Sequence, residues 1–221
     1  MSFTTINASS ITVITGTAST INTAYASNGI TGLANEAITL SDTTLAVAVL
    51  NTLDGNTSGA VNAASVTTLT GTAAAMNTAY ASAGITGLGD EAITLDDTTL
   101  AASVLNTLNG NTTGTVNAAT VNFLTGTAAA MNTAYASAGI TGLGDEAITL
   151  SDTTLAVATL NTLNGYTTGV INAAPVNTLT GAAAAMITAY TAVGITGLSQ
   201  VVITLDDTTL AVATLNTLNG Y

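Results

Sequence analysis

The chain has 221 residues, 12 carboxylates, a formal net charge of −12, and no lysine, arginine, histidine, cysteine or tryptophan. It therefore has no thiolate nucleophile, no imidazole base and no ordinary zinc ligation. It also has no Schiff-base lysine, no phosphate clamp, and no cation to release counterions from nucleic acid, and a polyanion is repelled by anionic lipid. Enzymes of conventional type, nucleic-acid binders and peripheral membrane proteins are not expected.

At the amino terminus, Met1-Ser2-Phe3-Thr4-Thr5 has no basic region followed by an apolar stretch, so no cleavable secretion signal is visible. Apolar residues make up 48% of the chain, which argues against disorder from low hydrophobicity. No run approaches the roughly 18–20 apolar residues that cross a bilayer, so membrane insertion is not expected.

From here the chain is periodic. Tyr25, Tyr80, Tyr135 and Tyr190 lie 55 residues apart, as do Asp42, Asp97, Asp152 and Asp207, and Asn51, Asn106, Asn161 and Asn216. Residues 2–56, 57–111, 112–166 and 167–221 are four copies, the second and third differing at ten positions. Each copy holds two related halves, because Leu50-Asn51-Thr52-Leu53 is echoed by Met76-Asn77-Thr78-Ala79 and again by Leu105-Asn106-Thr107-Leu108. Such a period marks a solenoid.

In the shorter half, Val66-Thr67-Thr68-Leu69 reads as a strand, Thr70 as a cap, and the segment through Ala73 to Ser82 as a helix ending before Gly84. Ala75, Met76, Ala79 and Tyr80 form its expected buried stripe. Ile85-Thr86-Gly87-Leu88 reads as a second short strand. The longer half repeats the plan: strand Ile93-Thr94-Leu95, then Asp97 as N-cap. A helix follows, presenting Leu100, Ala101, Val104, Leu105 and Leu108, and closes on Gly110 in the left-handed region. Thr113-Gly114-Thr115-Val116 is another short strand. The expected architecture is a single α/β repeat solenoid of strand-turn-strand-helix coils, with a parallel sheet and helices along one side. The alternative is an all-β solenoid, since Leu155-Ala156-Val157-Ala158-Thr159-Leu160 also alternates.

The acidic pairs Asp90-Glu91, Asp145-Glu146, Asp96-Asp97 and Asp206-Asp207 are the titratable candidates besides tyrosine. Calcium needs six to eight converging oxygens, and no calcium-loop pattern is present. The fourth copy carries Gln200-Val201 where the second and third have an acidic pair. These carboxylates are accordingly read as caps and solvated turns, with calcium binding and paired-acid glycoside hydrolysis as the competing readings. Tyr25, Tyr80, Tyr135 and Tyr190 are read as a core stack ahead of a sugar-binding platform. Asn51, Asn106, Asn161 and Asn216 are read as an internal ladder, each amide satisfying its neighbour and adjacent backbone. Threonine-rich strands offer an ice-binding array as an alternative to plain strand propensity. Asn7-Ala8-Ser9, Asn56-Thr57-Ser58 and Asn111-Thr112-Thr113 match the glycosylation sequon. No catalytic, cofactor-binding or metal-ligating residue is assigned, and no cofactor is expected.

The run Ala92-Ile93-Thr94-Leu95-Asp96-Asp97-Thr98-Thr99-Leu100-Ala101, with Leu105-Asn106-Thr107-Leu108-Asn109-Gly110-Asn111-Thr112-Thr113-Gly114, resembles repeat arrays in very large secreted or cell-surface, adhesin-like proteins of cyanobacteria. That resemblance covers essentially the whole chain. It implies an extracellular adhesive or matrix role and transfers no functional residue. The expected function is a non-enzymatic structural module of the cell surface, a fibre subunit or rod-like spacer associating end to end, or else a stretch of a longer array. The alternative is a module binding carbohydrate, calcium or ice through a repeated surface ladder. The absence of trypsin sites fits an exposed extracellular life.

Overall fold

The Ala-Ile-Thr-Leu runs alternate exposed and buried side chains. In the computed structural model, which describes residues 4–221, they form the strands Ala37–Leu40, Ala92–Leu95 and Ala147–Leu150, each with its isoleucine and leucine turned into the core. Met1, Ser2 and Phe3, which opened the segment read for a secretion signal, lie outside the described residues. The helices are α1 (Ala18–Tyr25), α2 (Val47–Asn56), α3 (Ala73–Ala81), α4 (Ala102–Asn111), α5 (Ala128–Ala136), α6 (Val157–Asn164), α7 (Ala183–Thr191) and α8 (Val212–Leu218). The fold is a repeated strand–helix α/β arrangement of parallel sheets with helices alongside. No helix among the described residues is long and apolar enough to cross a membrane.

The described residues divide into two compact bodies, 4–97 with 107–117, and 98–106 with 118–221. In the first, Val13–Gly16, Ala37–Leu40, Val61–Asn62 and Ile85–Thr86 make a four-stranded parallel sheet. Ile6–Asn7 pairs with Ile30–Thr31, and Thr44–Ala46 leads a further parallel row through Thr68–Gly71 and Ala92–Leu95 to Val116–Asn117. Helix α1 packs on α2, and α2 on α3. In the second body, Thr99–Ala101, Phe123–Gly126, Ala147–Leu150, Ile171–Asn172 and Ile195–Thr196 form a five-stranded parallel sheet. Thr154–Ala156, Thr178–Gly181 and Val202–Leu205 form a three-stranded one. Helices α5 to α8 pack in succession.

Several local expectations need correction. The Leu155–Leu160 segment is neither all helix nor all strand: Thr154–Ala156 is a strand, and the chain turns into α6 at Val157. Likewise Leu100 and Ala101 belong to a strand, and the buried face of α4 is Ala102, Leu105 and Leu108. Thr70 is a strand residue, and the cap of α3 is Thr72, whose hydroxyl accepts from the Ala75 N–H at 3.2 Å. Gly110 lies inside α4, which runs on to Asn111, so no left-handed residue is needed there. The left-handed glycines sit elsewhere. Gly87 has φ +82°, and a Cβ there would lie 2.8 Å from the Ala64 backbone nitrogen, so the position demands glycine for both conformation and space.

Candidate functional site

Adjacent strand–helix modules are tied by polar side chains reaching about one strand step along the chain. Asp42, Asp97, Asp152 and Asp207 each place a carboxylate oxygen on the first N–H of a helix 24 residues earlier, at Ala18, Ala73, Ala128 and Ala183, with distances of 2.7–2.8 Å. The expectation that Asp97 caps the helix following it is therefore incorrect. Its charge sits at the positive end of the preceding helix, α3, where unpaired amides and the helix dipole both favour an anion.

The asparagine series acts in the opposite direction. Asn51, Asn106 and Asn161 donate from Nδ2 to the carbonyls of Ala75, Ala130 and Ala185, 24 residues ahead, at 2.8–3.0 Å. Asn22 and Asn132 donate in the same sense to Val49 and Thr159. Of the expected ladder, in which each amide satisfies its neighbour and adjacent backbone, the backbone part is what these bonds form, because a helix flank presents carbonyl oxygens to its neighbour. Asn56 and Asn111, the acceptors of two sequons, are themselves bonded to the Oδ1 atoms of Asn22 and Asn77.

Where those repeats have Asn56 and Asn111, the third and fourth copies have Tyr166 and Tyr221. Tyr166 stacks on Tyr135 with ring centroids 5.6 Å apart, and Tyr221 on Tyr190 at 5.2 Å. In the third copy the exchange leaves Asn132 Oδ1 buried without a hydrogen-bond partner. The fourth copy has the apolar Ile187 at that position, which removes the orphan. Ring stacking is thus confined to tyrosine pairs within the third and fourth copies, and Tyr25 and Tyr80 bond glutamate carboxylates, so the four do not form the expected core stack.

The carboxylates of Glu36, Glu91 and Glu146 are not solvated turns. All three side chains are essentially inaccessible. Tyr25, Tyr80 and Tyr135 donate their hydroxyls to them at 2.8, 2.7 and 2.6 Å. The backbone N–H of Ala34, Gly89 and Gly144 bonds the same carboxylates at 2.9–3.0 Å. Thr57, Thr112 and Thr167, also buried, donate from Oγ1 to the glutamate backbone carbonyls and accept from the N–H of Gly59, Gly114 and Gly169. Those three glycines are obligatory because a Cβ would collide with the same glutamate carbonyl.

Burial, then donation to a carboxylate, raises the hydroxyls of Tyr25, Tyr80 and Tyr135 above the ordinary tyrosine value, and burial alone raises Tyr190. Burial also acts to raise the Glu36 carboxyl, but the Tyr25 hydroxyl and the surrounding backbone N–H groups outweigh it and hold the group below its usual value. In the fourth copy Val201 replaces the glutamate, and Tyr190 donates instead to the Leu198 carbonyl at 3.2 Å.

The members of each acidic pair point apart: Glu91 inward and Asp90 outward, Asp97 onto a helix end and Asp96 into solvent. Among the described residues, no three His, Cys, Asp or Glu side chains are grouped to hold a metal ion. Each glutamate carboxylate accepts from a tyrosine hydroxyl on a helix and from a backbone N–H of its own turn, so what the arrangement does chemically is fasten a turn to a helix. Sequence reasoning missed this cluster, although its signal was present in the constant spacing of 11 residues between each tyrosine and its glutamate. Comparison with protein-family models, with curated proteins and with solved structures finds no match to this chain.

Proposed function

We propose that the chain is a non-enzymatic structural repeat module, a solenoid serving as a rod-like spacer or fibre subunit of an extracellular or cell-surface protein and associating end to end. The supporting observation is that its polar side chains are spent on the same inter-module bonds in copy after copy, Asp97 to Ala73 backward and Asn51 to Ala75 forward. A chain selected for one catalytic centre would instead concentrate unusual residues at one place. The resemblance to adhesin-like repeat arrays, the missing trypsin sites and the fixed register of the copies favour the same reading. Electron microscopy of the purified chain tests it. Unbranched filaments that lengthen with concentration are expected, and strictly monomeric particles at all concentrations would overturn assembly.

A second reading, a binding module for carbohydrate or ice, draws on one observation. Thr125, Thr149, Asn172 and Thr196 form an outward row on consecutive parallel strands. Such a row repeats at about 4.8 Å. Monomers that retain glycans or produce thermal hysteresis would support it.

A further inference from the structure

The same tripeptide adopts two structures in this chain. Thr-Leu-Ala is a strand at Thr44–Ala46, Thr99–Ala101 and Thr154–Ala156, each paired with a strand 24 residues ahead, where Leu45 faces Leu69, Leu100 faces Leu124 and Leu155 faces Leu179. At residues 209–211 it is not a strand. Composition is identical, so the difference lies in the missing neighbour. An isolated strand of three residues has no ladder to join.

The residues that would face this segment in register exist at the other end of the chain. One repeat on from residues 209–211, the partner positions correspond to Val13, Ile14 and Thr15 in the first copy. Val13–Gly16 is the outer strand of its four-stranded sheet, with one edge unpaired and Val13 exposed. The complete sheet of the second body has five strands. Adding residues 209–211 brings the four-stranded sheet to five. Placing Ile6–Asn7 and its partner beside Val202–Leu205 also joins a two-stranded and a three-stranded sheet into five. The second match repeats the internal pairing of Ile148 with Ile171, with Ile203 now facing Ile6.

Exposure follows the same logic. Ile6 is 56% exposed where Val61 and Ile171 are 0%. Val212 is 72% and Leu215 45% exposed where Val157 is 1% and Leu160 0%. Leu215 also lines a cleft of about 600 Å³ with Tyr190, Ile203, Leu205 and Tyr221. None of the side chains paired across the joint is charged, and Asp207, exposed where Asp42, Asp97 and Asp152 are half-buried, is the carboxylate that the joint partly covers.

We propose that a second copy of this chain occupies this face in one defined register. In it, residues 209–211 of one copy become a strand against Val13–Thr15 of the next, Ile203 faces Ile6, and the Asn216 amide reaches the Thr20 carbonyl as Asn51 reaches Ala75. The proposal rests on the end-to-end reading above and fixes its joint. Because both copies carry a charge of −12, association strengthens as salt screens their repulsion.

Sedimentation velocity of the whole chain at physiological salt is the test. Wild type forms a concentration-dependent ladder of species. Leu215→Asp puts an unpaired charge into the joint, weakens association at least 100-fold and leaves the far-UV circular dichroism unchanged. Val193→Asp, at a side chain 97% exposed and outside the joint, changes neither. Mixing Val13→Cys chains with Thr209→Cys chains under mild oxidation yields a disulfide-linked heterodimer, in a background with no other cysteine. A wild type that never associates overturns the end-to-end reading and the joint together. Association that survives Leu215→Asp, with no heterodimer, overturns this joint alone.

Discussion

Tyr80→Phe lowers the stability of the chain by about 2 kcal/mol, whereas Tyr190→Phe costs less than about 1 kcal/mol. Both substitutions keep the ring and remove one hydroxyl. The difference lies in the partner. Tyr80 donates at 2.7 Å to the Glu91 carboxylate, which is fully buried in a chain with no cationic side chain to neutralise it. Losing that donor leaves a buried charge held mainly by the Gly89 N–H. Tyr190 donates to the neutral Leu198 carbonyl at 3.2 Å, a longer and weaker bond. Urea titrations of the two variants measure the gap, and equal midpoints would contradict the role assigned to the tyrosine–glutamate pair.

The second large effect is alkaline instability. Tyr25, Tyr80, Tyr135 and Tyr190 all have hydroxyls raised above 10.0 in the fold. Below about pH 10 both folded and unfolded chains keep these protons, and the stabilisation is fully present. Above it the unfolded chain releases protons that the folded chain retains. Stability therefore falls as the pH rises, by at most about 1.4 kcal/mol per pH unit for each such tyrosine and by less where solvent screens the hydroxyl, until the raised folded values are reached. Tyr80 and Tyr135, the most strongly raised, contribute most to this loss. With no lysine, cysteine or arginine present, tyrosine is the only side chain titrating there, which makes the assignment clean. Urea midpoints at pH 8 and pH 11 check it, read together with tyrosinate absorbance. An unchanged midpoint would contradict the burial of these hydroxyls. On the acid side, Glu36 has the opposite sign: its lowered value stabilises the fold above the ordinary glutamate pKa and ceases to do so as pH falls through the folded value.

The 55-residue period and the helix–strand plan were legible because each copy repeats its apolar spacing, Met76 and Ala79 in one half and Leu105 and Leu108 in the other, although Ala73 and not Ala75 or Tyr80 completes the buried face of α3. The partners of the polar residues were not. An aspartate before a helix looks like a local cap, yet Asp97 bonds to Ala73, because strands pair 24 residues apart and that step carries the carboxylate to the neighbouring helix. Nothing local distinguishes the two outcomes. Glu91 looked like a turn acid beside Asp90, and the Val201 of the fourth copy made it look dispensable. Only its distance from Tyr80 marked it as a buried acceptor. The exchange of Asn111 for Tyr166 was readable as a change of residue type but not as a switch from hydrogen bond to ring stack. Residues 209–211 mark the limit, since the same three letters are strand or not according to what lies beside them.

These modules are held folded by one another. Comparing the isolated second copy, residues 57–111, with a two-copy chain and the whole chain by thermal circular dichroism tests it most directly. The expected result is an unfolded single copy, a folded pair and a transition temperature that climbs with copy number, as nearest-neighbour coupling requires. A single copy that folds by itself, with the same transition as the whole, would contradict the account.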